Sequence, residues 1–307
     1  MASLLRLSGH HQKVHSSVYP PKVSSHDFPK NFPETVIWGT SNLRPLDVDG
    51  QKKGSNHHTT EHQDCLVGGR VGDPDFRNKA HAYIQEILPC DVTSFPGLTI
   101  SQLDTFIAPG GKNKGKTVAE VLASKSDGVY SACILGGNDK NFFLRDPATA
   151  LKKYLNHLER LYWNTNFEVI FITTVFSRRS EMRDKLLMEA RKNFNEFMKN
   201  HQQDPRYVIK NSADREVAWR VVDMTGIIKP GDLKNDKYFC EKPDGTHFNA
   251  IYMEEYLREL AREVWCYYLQ NQPMQPAVKH QKTRRRYPFD NNLRRVLHCL
   301  SMIDVSD

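Results

Sequence analysis

The sequence predicts an α/β protein, a three-layer α/β/α sandwich around a mostly parallel five-stranded sheet, flanked by a polar arm and a basic tail. Two observations carry this. Short apolar runs alternate with longer stretches of helical periodicity, the pattern of βα units. One of those runs, FEVIFITTV at 167–175, is apolar almost throughout, as a strand covered on both faces must be.

Residues 1–33 are rich in His, Ser, Pro and Lys without periodicity and read as a disordered arm. The domain is expected over 34–270. ETVIWGTS (34–41) is a strand running into turn residues, and FRNKAHAYIQEIL (76–88) is a helix with Ala80, Tyr83, Ile84, Ile87 and Leu88 on one face. CDVTSFPG (90–97) is the second strand, TISQLDTFI a short helical turn and TVAEVLAS (117–124) a helix. The third strand is the buried run Ala132-Cys133-Ile134-Leu135, which stops on two glycines. Asp146-Pro147 is a capping residue followed by a first-turn proline, and Leu151, Tyr154, Leu155, Leu158, Leu161 and Tyr162 recur behind it at helical spacing. The fourth strand is 167–175, an amphipathic helix covers 180–200, and WRVVDMTG (219–226) is the fifth strand. A last helix is expected from His247 to Leu269, with Phe248, Ile251, Tyr252, Tyr256, Leu260, Val264 and Tyr268 inward.

Composition narrows the function classes. The longest apolar runs fall far short of the roughly 20 residues of a membrane span, and the first residues lack a secretory apolar core. Six cysteines are scattered without paired spacing, so reduced thiols and a cytoplasmic or nuclear location are expected. The net charge of +7 is concentrated in KHQKTRRRYPFDNNLRR (279–295), where seven Lys/Arg face one Asp; that +6 leaves about +1 for the rest of the chain. This tail, within 271–307, suits a nucleic-acid backbone or a nuclear-import signal, or is a solvated arm.

The chemistry-bearing residues arrive at successive strand ends. In an open parallel sheet, ligands bind outside the carboxyl ends of the strands. The first strand ends on Gly39-Thr40-Ser41-Asn42, the second on Pro96-Gly97, the third on Gly136-Gly137-Asn138-Asp139; Asp244-Gly245-Thr246-His247 opens the final helix. A serine hydroxyl needs a base, a histidine can be that base, and a carboxylate can orient the imidazole. A carboxamide and backbone N–H groups can receive an oxyanion. Asn138 suits that task, and Asp139 is expected to brace its loop through backbone amides.

Those four blocks, in that order, resemble the SGNH hydrolases of the GDSL esterase/lipase superfamily over residues 34–270. The resemblance implies an SGNH/flavodoxin-like fold and a serine esterase that cleaves a small carboxylic ester through an acyl-enzyme without a cofactor. It implies Ser41 as nucleophile, His247 as base, Asp244 as its orienter, and an oxyanion hole made by Ser41, Gly97 and Asn138. Thr40 stands where the family has an aspartate, which removes a charge beside the serine. The alternative is an SGNH-fold nucleic-acid-binding module, retroelement-derived, with weak or no hydrolase activity and the 279–295 tail as its contact.

Two other patterns stand outside these blocks. GGKNKGKT (110–117) fits a phosphate-loop spacing with Lys116 and Thr117, but the preceding residues read as a helix where that motif demands a strand, so a lysine-rich surface loop is expected. His58, His62 and Cys65 have metal-ligand spacing without a hydrophobic frame, and a polar insertion is expected. Cys240 is read as a buried thiol rather than a nucleophile. The loop from Asn42 to Asp73 is expected to cover the pocket.

Overall fold

The computed structural model describes residues 28–30, 32–43, 46–47, 76–125, 129–176, 178, 181–227, 247–248 and 250–271. In chain order the strands are β1 (Thr35–Gly39), β2 (Cys90–Ser94), β3 (Tyr130–Ile134), β4 (Val169–Thr173), β5 (Ile209–Lys210) and β6 (Glu216–Val222). The α-helices are α1 (Phe76–Ile87), α2 (Val118–Ala123), α3 (Pro147–Tyr162), α4 (Lys185–Asn200) and α5 (Ala250–Gln270).

Among the described residues the strands form one open sheet in the order β2-β1-β3-β4-β6-β5. Every pairing is parallel except β5 with β6. The five expected strands are thus the parallel ones. The sixth, β5, is two residues long and antiparallel at the edge, too short for any periodic signal.

Because side chains alternate across a strand, each strand feeds two cores. Ile37, Ala132, Ile134 and Phe171 face α1 and α5, meeting Ala80, Ile84, Tyr252, Tyr256 and Leu260. Val36, Trp38, Cys133, Ile170 and Ile172 face α2, α3 and α4, meeting Val121, Leu151, Tyr154, Leu158 and Phe194. That is the α/β/α sandwich. β1, β3 and β4 are buried at every position, which is why they read as continuous apolar runs. Three polar side chains in this core close on one another: Trp38 Nε1 donates to Tyr162 Oη at 2.6 Å, and Ser131 Oγ lies 2.7 Å from the same oxygen. Burial pushes the Cys133 thiol up to about 12, and Cys90 is also raised by burial, so both behave as small apolar side chains.

The helix starts follow local chemistry. Asp146 accepts the Thr149 N–H ahead of α3, and Asp184 accepts the Leu187 N–H ahead of α4. Thr117 caps α2 in a reciprocal capping box with Glu120. The last helix begins at Ala250 rather than at His247. Phe28 and Phe32 fall within the stretch read as an arm, yet Phe28 is buried 5.1 Å (ring centroids) from Trp265, and Phe32 stands 5.0 Å from Tyr268 on the same helix. Two isolated aromatics make no periodic pattern, so sequence could not separate them from the arm. The basic tail at 279–295, residues 48–75 with His58, His62 and Cys65 and most of the loop expected over 42–73, and Cys240 lie outside the described residues. No helix among the described residues is long and apolar enough to cross a membrane.

β2 and β3 flank β1 on opposite sides, so the chain reverses its direction of travel across the sheet between them. By the rule for open parallel sheets, the crevice for a ligand falls outside the carboxyl ends of β1 and β3 at this switch point. Gly39 governs how closely those ends approach: a Cβ there would stand 2.3 Å from Ile134 O and 2.6 Å from Ile134 Cγ2. Gly39→Ala must push β1 from β3, and is expected to cost at least about 1–3 kcal/mol of stability. Urea unfolding reads it directly; an unchanged midpoint would contradict this account of the strand spacing.

Candidate functional site

The crevice is built from the turns that follow β1, β2 and β3 and from the approach to α5. After Gly39 the chain folds into a 3-10 turn, Ser41–Leu43, with the Leu43 N–H donating to Thr40 O at 3.1 Å. The turn is fastened at both ends. Thr40 N–H donates to Ile134 O at 3.1 Å. The buried Asp47 carboxylate receives both the N–H and the O–H of Ser94, each at 2.8 Å, tying the segment to the end of β2. Thr40 is itself buried; its hydroxyl lies 3.5 Å from the backbone and side-chain nitrogens of Asn42. It therefore works as a local acceptor within the turn.

Ser41 stands half-buried in this turn, its Oγ 2.8 Å from His247 Nε2 across 206 positions of sequence. A second bond runs beside it: Asn42 Oδ1 accepts the Phe248 N–H at 3.2 Å. Two consecutive residues of the β1 turn thus hold two consecutive residues ahead of α5. Phe248 is packed between Phe176 (ring centroids 4.5 Å apart) and Tyr252 (3.9 Å), which fixes the segment from the apolar side. Asp244 lies outside the described residues. His247 precedes α5 by three positions, so it sits in the approach to the helix and not on its first turn as its spacing suggested.

The turn after β2 has the signature of a type II turn. Pro96 occupies the second position, Gly97 the third with φ +86°, and Leu98 N–H closes it onto Phe95 O at 3.1 Å. Phe95 N–H donates to Gly39 O at 2.7 Å, so this turn is carried by β1 itself. The turn after β3 contains Gly136 at φ +90°, where a Cβ would meet Phe143 and Val175 at 2.9 Å; only glycine fits.

Asn138 and Asp139 divide their work between neighbours. Asn138 Nδ2 donates to Leu98 O at 2.9 Å, joining the third turn to the second. Its Oδ1 accepts from Arg178 Nη2. Asp139, buried, accepts the Ile100 N–H with both oxygens, at 2.9 and 3.0 Å, and caps the 3-10 turn Ile100–Gln102 for which Thr99 supplies no side-chain cap. Burial raises the Asp139 carboxyl above its ordinary range, while the backbone bonds to Ile100 and Ser101 pull the other way.

The sequence reading missed Asn42, Asp47 and Arg178. None belongs to a spaced pattern, and each acts on a partner at least 40 positions away. The phosphate-loop spacing, by contrast, has no matching geometry. Ile107 and Thr117 form an antiparallel bridge, Gly111–Asn113 is a 3-10 turn, and the Thr117 N–H and hydroxyl are both bonded to Glu120. No group of three or more His, Cys, Asp or Glu side chains able to hold a metal ion occurs among the described residues.

The sequence matches no family model and no curated protein. Among solved structures the fold is similar to that of an acetyl esterase serine-to-alanine mutant holding an acetate ion, with 13% identity, TM-score 0.41 and coverage of 77% of this chain and 99% of that one. It is also similar to a lipase/acylhydrolase from Enterococcus faecalis, with 16% identity, TM-score 0.39, and coverage of 75% and 95%. At that remove, chemistry has to be argued from this chain's own geometry.

Asn42 is the joint that geometry depends on. Asn42→Ala removes the acceptor of the Phe248 N–H from a buried position, and is expected to cost about 1–3 kcal/mol. Denaturant unfolding measures it; a loss below a few tenths would show that segment 247–248 is held by other means.

Proposed function

We propose that the protein is a serine ester hydrolase of the SGNH type, with Ser41 as nucleophile and His247 as general base. The observation that carries this is the 2.8 Å contact between Ser41 Oγ and His247 Nε2 at the switch-point crevice. For Nε2 to take the Ser41 proton, Nδ1 must carry the other ring proton. A carboxylate facing Nδ1 fixes that tautomer, and we assign the role to Asp244 from its position three residues before His247.

In this reading Ser41 Oγ attacks the ester carbonyl carbon while its proton passes to His247. The C–O bond that forms leaves negative charge on the former carbonyl oxygen. We assign that oxyanion to the Ser41 and Gly97 backbone N–H groups and to Asn138 Nδ2. Neither backbone group has an acceptor among the described residues, and the carboxamide has a second N–H beyond the one engaged by Leu98. Collapse breaks the ester C–O bond, and His247 returns its proton to the departing alcohol. Water then attacks the acyl-enzyme with His247 again as base, releasing the acid and restoring the Ser41 hydroxyl. The chemistry is acyl transfer to water, and every proton moves between the substrate, Ser41, His247 and water.

Thr40 does not interrupt this sequence. It bonds within its own turn, and its hydroxyl points to Asn42 nitrogens rather than to the Ser41–His247 pair. The proposed domain spans 34–270.

The test is turnover of a short activated ester such as p-nitrophenyl acetate by the full chain. Wild type is expected to hydrolyse it, and Ser41→Ala to lose that activity while keeping its unfolding midpoint. Equal rates for the two would contradict the reading.

A further inference from the structure

The segment after β4 brings Arg178 to Asn138, next to a buried pair of charges. Glu181 and Arg191 form an ion pair whose side chains are each 1% exposed. Burying two charges costs more than their attraction returns unless further hydrogen bonds complete the network. Here those further bonds fall on two residues of one short segment, Phe176 and Arg178. Arg191 Nη1 donates to Phe176 O at 2.9 Å, and Glu181 Oε2 accepts the Arg178 N–H at 3.0 Å. One turn along the helix, Asn195 accepts the Val175 N–H at 2.8 Å and donates to Val175 O at 2.7 Å. The backbone at Val175, Phe176 and Arg178 is therefore held from α4 and from Glu181, and the Arg178 guanidinium donates to Asn138. Gly137 leaves the room for it: a Cβ there would meet Phe176 at 3.0 Å and lie 3.5 Å from Arg178 Nη2.

A carboxamide can be turned over, exchanging its oxygen for its nitrogen at nearly the same positions. In an oxyanion hole the two orientations are opposites, since one offers a donor to the developing charge and the other a lone pair. Two contacts set the orientation of Asn138. Leu98 O is an acceptor and selects the NH2 end; Arg178 is a donor and selects the oxygen end. A guanidinium offers donors and no acceptor, so it selects the oxygen end only. A charge-assisted bond to Oδ1 also polarises the amide and strengthens its N–H donors.

We propose that Arg178 is the positioning residue of the oxyanion hole, holding Asn138 with its NH2 toward the reacting centre. It touches neither substrate nor Ser41 in this scheme and acts on the reaction through Asn138. The inference rests on the hydrolase reading above.

The experiment is a double-mutant cycle on the full chain with a p-nitrophenyl ester, using Arg178→Met, Arg178→Lys, Asn138→Ala and the two combined variants. Arg178→Met, which keeps the stem and removes the donors, is expected to lower kcat about 10–100-fold with KM changed less than about threefold, because the interaction is expressed in the transition state. Arg178→Lys retains one charged donor and is expected to recover part of that loss. In the Asn138→Ala background either Arg178 substitution should change kcat less than about twofold. Arg178→Lys carries the test alone if Arg178→Met does not fold. A loss that persists undiminished without Asn138, or appears in KM instead of kcat, would overturn the positioning role while leaving the hydrolase intact. A wild type without Ser41-dependent turnover would overturn both.

Discussion

Two neighbouring hydrogen bonds tie the turn after β1 to the segment ahead of α5, one between Ser41 and His247 and one between Asn42 and Phe248. The chain between these pairs runs 206 positions and passes through every other strand of the sheet. The chemistry proposed here depends on that closure, because neither a serine hydroxyl nor an imidazole does acyl transfer alone. The Asn42 bond matters as much as the Ser41 contact. It fixes backbone to side chain at a buried site, so the imidazole approaches on a segment whose position is already set.

The remaining constraints converge on the same crevice. Gly39 lets β1 and β3 close together, Asp47 fastens the serine turn to β2, and Phe95 fastens the β2 turn back to β1. Asp139 caps a turn that has no cap of its own, and in doing so anchors the loop from which Asn138 projects. Asp47, the Phe95 N–H and Asp139 are buried polar groups, each with its partner supplied from a different strand end. These bonds set the positions of the donors through the fold itself, and preorganised donors are what the oxyanion of the proposed reaction requires.

Much of this was legible in the sequence, and the boundary between what was and was not is physical. Strands buried on both faces announce themselves as apolar runs, so β1, β3 and β4 and the parallel sheet could be read directly. The order in which serine, glycine, asparagine and histidine follow those runs could be read too. Long-range partners could not. Asn42, Asp47 and Arg178 look like ordinary loop residues until the fold brings Phe248, Ser94 and Asn138 to them. The start of α5 shifted for the same reason: apolar spacing continues through Phe248, while the Asn42 bond holds that residue outside the helix. The phosphate-loop spacing at 110–117 is the converse case. Its lysines and glycines are present, but Glu120 engages the Thr117 groups that the motif would need.

The most direct measurement is covalent: the folded protein treated with a fluorophosphonate probe, digested and mapped by mass spectrometry. A serine activated by His247 should take up one equivalent on the Ser41 peptide, and His247→Ala should suppress the adduct although Ser41 is intact. Labelling spread over several serines, or labelling of Ser41 that is indifferent to His247, would contradict the pairing on which the account stands.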